Sequence, residues 1–580
     1  MKFINKEKIK ETTTKITHTL KERKFKYIAF FWIIIAIQFV IGSNLQYKGY
    51  SIRNGKDLII AIFQILWLSI IFIIGHYSCL KLYNKIKEKQ NEKQNEKQDK
   101  TKRINKKSHK KLEKNKGLIY FGIIFLCWIP TLLAFYPSIL SYDGGVQIRS
   151  LFLFGKAGHH PLMITALYTF FYSIGYNLGS CTFGMLLYSL CQMTFMASMF
   201  AYAVRFIEKI TKNKAVTIIS LIFYAVFPYN QLFSIITTKD VIFAGLFLLF
   251  LIKLYEFLET KYKIVDYIFF VLMGVLMLLS RNNTVFTLEV AIPFIIILLL
   301  KNKEKLIRIV PLLLIIIILY KNVNTGLYGL ANNKNDEGSL RVLMYSQFSA
   351  KLALEEKNLT EEEKEKISYY YNDYKELAQK YKPAISDNTV NMANYKNITS
   401  DKKEFYRWTI SMIKKYPRTF IESSLNTIRG FWYINDNTFN RVNYDKSPNN
   451  MGALELGVFV IKPHDNQYNV QGKTMIPWLT KFDKKLFCEN KYEKIPIFYM
   501  LFQPATYLYI TLACILYLLY QKEREKLVVT TVAFIYYGTC FAAPCTTVRY
   551  IYPVITAMPL LIGIIFENKK INNEKQEIVK

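Results

Sequence analysis

The chain has 580 residues, 52% hydrophobic and 16% aromatic, and a formal net charge of +34. Its apolar residues lie in long unbroken blocks, many near the roughly 20 residues that cross a bilayer, which excludes both a soluble multidomain enzyme and a disordered chain. The eight cysteines have neither the spacing of a disulfide framework nor that of a zinc site, and the first apolar block follows a long basic arm with no cleavage pattern after it.

In chain order the blocks predict an all-α polytopic membrane protein with twelve spans: 27–41, 58–80, 117–135, 181–204, 215–236, 241–258, 264–279, 285–300, 309–320, 497–520, 527–541 and 551–566. The charge is distributed as the positive-inside rule expects of cytoplasmic loops. Residues 1–26 hold nine basic and three acidic residues, and the low-complexity run 81–116, with two NEKQ copies, holds fifteen and five. Smaller basic loops at 205–214, 259–263, 301–308 and 521–526 follow the same rule, as does the tail from 567. The long insert 321–494 is nearly balanced, with 27 basic and 21 acidic residues. Basic segments that all flank apolar blocks point to a bilayer rather than to nucleic acid. The expected address is therefore a plasma membrane crossed many times, with both termini cytoplasmic.

One apolar block, 161–178, remains. If it crossed, 205–214 would turn outward and every later loop would invert. It is expected instead to lie as a juxtamembrane helix on the outer face, with Pro161 in its first turn. The domain plan is then 1–116, a two-span hairpin with a basic cytoplasmic linker; 117–320, a seven-span module; 321–496, a mainly helical extracytoplasmic domain; and 497–580, three spans and a cytoplasmic tail.

The polar residues that interrupt apolar sequence gather at the outer face. In the first outer loop, YPSILSYDGGVQ, Asp143 precedes Gly144–Gly145 and reads either as a site carboxylate or as a turn aspartate. His159 and His160 are neighbours without a third ligand, so no metal site follows from them. Thr237 and Asp240 in TTKDVIF have capping-box spacing, which accounts for Asp240 but less readily for Lys239. Arg281, Asn282 and Asn283 separate two spans at the boundary, and Arg549 precedes the last span; anchoring by snorkelling is the alternative for each arginine. Glu289 lies inside a span, where an acid is a functional candidate with one of these cations as partner. In the insert, Thr360–Glu363 and Asp401–Glu404 open charged helices, and 417–433 is amphipathic. That stretch carries Arg429 and Trp432, the latter fitting either an interfacial belt or a sugar-stacking platform. Residues 435–477 read as ordered loop.

Taken in order, YPSILSYDGGVQ, HHP, TTKDVIF, SRNN and TVRYIYP resemble the GT-C superfamily of integral membrane glycosyltransferases, over roughly residues 117–566. The resemblance implies a GT-C-like transmembrane module with outer juxtamembrane helices, and catalytic carboxylates at Asp143 and Asp240. For such a transfer the residue inventory offers substrate contacts from Gln147, His159, His160, Lys239, Arg281, Asn282, Asn283, Glu289, Arg429, Trp432 and Arg549, with Asp143 as the base for the acceptor hydroxyl and Asp240 orienting the acceptor or Lys239. The donor would be a polyprenyl-phosphate-linked sugar, and the acceptor a cell-envelope glycan, teichoic acid or glycolipid. The first outer loop has no DxD motif, so no cofactor follows from the resemblance, and a divalent metal stays an open alternative. A polytopic transporter or flippase of lipid-linked saccharides is the rival reading, although no internal repeat supports it. A structural envelope component is a third.

Overall fold

A computed structural model describes residues 23–95, 106–155, 160–259, 263–330, 343–355, 359–436, 469–488, 494–495 and 497–567. Among them all regular elements are helices, and extended pairing is confined to isolated bridges. Nine described helices are long and apolar enough to cross a membrane, and Lys214–Val226 and Ile264–Ser280 are apolar but shorter. The chain is an all-α polytopic membrane protein.

Each predicted span contains a helix, with three changes of outline. The block 215–236 breaks at Phe227, which is held extended because the following Pro228 disfavours a helical residue before it. The block 497–520 divides into a short turn, Phe498–Phe502, and the Pro504–Gln521 helix. The block 309–320 is part of a longer helix, Lys303–Leu330, so Lys321 belongs to a helix and not to the insert.

The chain divides into two compact units: Met1–Lys116 with Leu512–Glu523, and Gly117–Thr511 with Arg524–Lys580. In the first, the Arg23–Lys48 and Gly55–Asn95 helices pack together, with Trp32 against Phe72 and His76. Arg23 Nη2 donates to the Leu519 carbonyl at 3.1 Å, and the Tyr27 ring meets Tyr520.

In the second unit most of the Lys239–Glu259 helix is buried, and its half-buried residues, among them Ile242, Leu249, Lys253 and Glu256, fall on one stripe. It packs against Cys181–Thr211, Ile264–Ser280, Arg524–Thr539 and Val548–Ile565. Phe243 meets Tyr536, and Phe250 stacks on Phe270. Buried tyrosines satisfy their hydroxyls across elements: Tyr224 donates to the Thr556 carbonyl at 2.8 Å and Tyr552 to Asn230 Oδ1 at 3.1 Å.

The Leu162–Asn177 helix folds back along the first half of Cys181–Thr211, with Tyr168 against Tyr188 and Gly175 against Gly184. The backbones touch there: a Cβ on Gly184 would sit 2.3 Å from the Phe171 carbonyl oxygen. Pro161 stands one position before this helix, at its N-cap.

The described part of the insert is helical around its own core, which includes Phe348, Ile367, Tyr371, Leu377, Phe405 and Met412. Thr360 and Glu363 form a reciprocal capping box, and Asp401 Oδ1 accepts from the Glu404 amide at 2.8 Å. Of the expected loop 435–477, residues 437–468 lie outside the described residues.

Candidate functional site

The site is built from helix ends of the second unit. Ser141 caps the Tyr142–Phe154 helix by accepting from the Gly144 amide at 2.9 Å, so Asp143 stands in a first helical turn and not on the flexible turn that the Asp-Gly-Gly sequence suggests. Gly144 serves a close approach: a Cβ there would lie 2.4 Å from the Thr237 carbonyl oxygen. The contact is a bridge between residues 139–141 and 235–237. Ile139 N donates to the Ile235 carbonyl at 3.1 Å, Thr237 N to the Ile139 carbonyl at 3.0 Å, and Ser141 N to Thr237 Oγ1 at 3.0 Å. Thr237 is thus engaged with Ser141 and does not form a capping box with Asp240; Thr238 Oγ1 donates to Asp240 Oδ2 instead. The bridge sets Asp143 beside Lys239, the first residue of its helix.

Asp143, Lys239, Arg281, Asn282, Asn283, Glu289 and Arg549 line one cavity of about 820 Å³, together with Lys321, Asp387, Tyr536 and Tyr550. Arg549 Nη1 donates to Asp143 Oδ2 at 2.6 Å. Burial alone would push the Asp143 carboxyl up, but Arg549, Lys239 and His160 around it outweigh that and hold it well below the ordinary carboxylate range. Arg281 pairs with Asp240, whose side chain is wholly buried. Lys321 pairs with Glu289 at 2.8 Å. Tyr550 lies between the two arginines, each guanidinium carbon 5.1 Å from its ring centroid. After these pairings one cation and one carboxylate of the cavity form no ion pair among the described residues: Lys239, whose Nζ meets His160 Nδ1 at 3.4 Å, and Asp387.

The remaining candidates are elsewhere. Asp240 backs the cavity wall through Arg281 without lining it. Gln147 is buried under Thr165, to which its Nε2 donates at 2.9 Å. His160 is buried behind Lys239, and its carbonyl accepts from Tyr328. Arg429 is buried in a pair with Asp436 at 3.0 Å, and Trp432 Nε1 donates to the Leu425 carbonyl at 3.1 Å; neither lines the cavity, because both are used to fold the insert. His159 lies outside the described residues. Among the described residues no group of three or more His, Cys, Asp or Glu could hold a metal ion.

A known family matches residues 157–578. The chain belongs to DUF6020, a family of unknown function. No curated protein and no solved structure matches the chain. The DUF6020 stretch includes Lys239, Arg281, Asp387 and Arg549, whereas Asp143 precedes it.

The sequence reading missed Lys321, Tyr550 and Asp387. Tyr550 adjoins Arg549 within TVRYIYP, which is a signal; Lys321 reads as the start of the insert because the apolar run stops at Tyr320. Asp387 had none, since it lies in polar sequence with no span beside it.

Proposed function

We propose that the protein is a membrane glycosyltransferase of GT-C-like architecture, moving a sugar from a polyprenyl-phosphate carrier to a cell-envelope acceptor at the outer face of the plasma membrane, with inversion. One observation carries the reading: Lys239, Arg281 and Arg549 converge with carboxylates in a single cavity made of helix ends. A lipid phosphate leaving group requires cations at the membrane boundary, and arginines match its oxygens two at a time. Asp240 is the positioning residue that orients Arg281, and Asp143 does the same for Arg549 while contributing a carboxylate to the site. The Phe286, Val290, Phe294 and Ile297 side chains share one exposed helix face leading away from the cavity, a track on which an isoprenoid tail would lie. The opposite ends of the second unit's helices carry the basic loops 205–214 and 301–308. Lys305 pairs there with Glu525 and Lys526 with Glu567, and the positive-inside rule puts that side in the cytoplasm.

A transporter or flippase would concentrate its polar groups near the bilayer midplane on broken helices. Charged groups at helix ends favour the transferase. The test is transfer of radiolabelled sugar in membranes carrying the chain or its Asp143→Asn variant. Loss of transfer by at least about tenfold is expected, since the charge-assisted bond that holds Arg549 is worth about 1.5–3 kcal/mol. Transfer equal to wild type would remove Asp143 from the site, and carrier movement across vesicles without any transfer would establish the flippase instead.

A further inference from the structure

We infer that Asp387, contributed by the insert, is the general base that takes the acceptor's hydroxyl proton, and that Asp143 is the positioning partner of Arg549. This rests on the transferase reading above. The two carboxylates share a cavity and differ in environment, which is how paired acids acquire different duties. Asp143 is committed: its carboxylate is bonded to Arg549, with Lys239 and His160 close by, so it is a weak proton acceptor. Asp387 has no ion pair or side-chain hydrogen bond among the described residues, and it is exposed within the cavity. Burial in the surrounding protein raises its carboxyl above the ordinary value; Arg549 opposes this and the charge of Asp143 adds to it. A raised, reachable carboxylate is what a base needs, since proton affinity and access both count.

The insert is fastened so as to deliver this residue. Ser386 donates to the Pro544 carbonyl twice, from its amide at 2.9 Å and from its hydroxyl at 2.8 Å, and Ile385 bridges Cys545. Pro544 and Cys545 line the same cavity on the segment that leads to Arg549. Asp387 therefore follows directly on an anchor to the cation-bearing segment.

In the step this implies, the acceptor oxygen bonds to the anomeric carbon of the donor while its proton passes to an Asp387 carboxylate oxygen. The bond from the anomeric carbon to the phosphate oxygen breaks, and its electron pair leaves on that oxygen beside Lys239, Arg281 and Arg549. The products are an inverted glycoside, a polyprenyl phosphate with one more negative charge, and a protonated Asp387 that returns its proton to water.

The experiment uses the full chain in membranes, with polyprenyl-phosphate-linked [14C]glucose, mannose and galactose as donors and farnesyl phosphate as the binding probe. Asp387→Asn should lower kcat by about 100-fold or more, with KM and farnesyl phosphate affinity within about twofold of wild type. Formate should restore part of the rate to Asp387→Ala, which a structural role would not produce. If wild type turns over a donor and Asp387→Asn keeps more than about a tenth of its kcat, changes only KM, or gives an alanine variant that formate does not rescue, the base assignment is overturned while the transferase reading stands. If wild type turns over none of the donors while binding farnesyl phosphate normally, the transferase reading falls and the base falls with it.

Discussion

Among the charged residues of the cavity, burial and pairing decide duties that residue type leaves open. Arg549 is shared between Asp143 and the Tyr550 ring, a geometry that a planar guanidinium fits and a lysine ammonium does not. Arg549→Lys is expected to weaken farnesyl phosphate binding by about tenfold, and Arg549→Ala by more, since loss of a charge-assisted bond is worth about 1.5–3 kcal/mol; titration of both variants in detergent checks this. The acid limb of the transfer rate should follow Asp387 and not Asp143. Its carboxyl is raised among Arg549, Asp143, Lys239, Arg281, Glu289 and Lys321, so activity should fall as pH drops through a value above that of a free aspartate. A rate that stays flat down to the ordinary aspartate range would contradict it. Outside the cavity, Asp483 is buried, and burial pushes its carboxyl up to about 7. A carboxyl raised on folding keeps its proton where the unfolded chain has lost it, so stability falls as pH rises from about 4 to 7 and then levels. Asp483→Asn should remove that fall, as melting temperatures at pH 5 and pH 8 would reveal.

At the scale of elements, two glycine contacts let helices and their neighbouring segments approach backbone to backbone. Gly144 admits the Thr237 backbone, and Gly184 admits the Phe171 carbonyl. Gly144→Ala has backbone, not a movable side chain, to displace, and overpacking of that kind costs about 1–3 kcal/mol. The expected result is a melting temperature lower by several degrees, with a loss of activity that exceeds the loss of fold because Asp143 moves with the helix. The Cys181–Thr211 helix has 31 residues. At 1.5 Å per residue it is about 46 Å long, against a hydrocarbon core of roughly 30 Å. That length exceeds the core by about a third of the helix, and Leu162–Asn177 packs on its first half, as the proposed juxtamembrane position of that helix requires.

For the whole molecule, the proposed orientation puts the cavity and the basic loops on opposite sides of the membrane. Single cysteines introduced into 205–214 and near Asn283, in an otherwise cysteine-free chain, should react with an impermeant maleimide from opposite faces. Labelling of 205–214 from outside intact cells would invert the topology and remove the outer-face transferase. Much of the architecture was legible because apolar run length and loop charge are properties of contiguous sequence: all twelve predicted spans contain helices, and the capping box at Thr360–Glu363 was readable from four residues. The cavity was legible in part. Asp143, Lys239, Arg281 and Arg549 interrupt or adjoin apolar blocks at one face, so their convergence could be anticipated from span parity. Arg429 and Trp432 had the same outward look, but each makes its polar contact inside the insert or beside it, which no periodicity foretells.

The sequence by itself determined that the chain is helical and membrane-spanning, because nothing but helices can satisfy backbone hydrogen bonds across such long apolar blocks without closing a barrel. Tertiary structure alone decided which charges meet. Asp143 pairs with Arg549 and Asp240 with Arg281, and the pairing of Ser386 with Pro544 brings an insert aspartate to the same cavity. Those partners are joined by packing across distant segments, and an ion pair depends on a few ångströms of separation that no local pattern encodes.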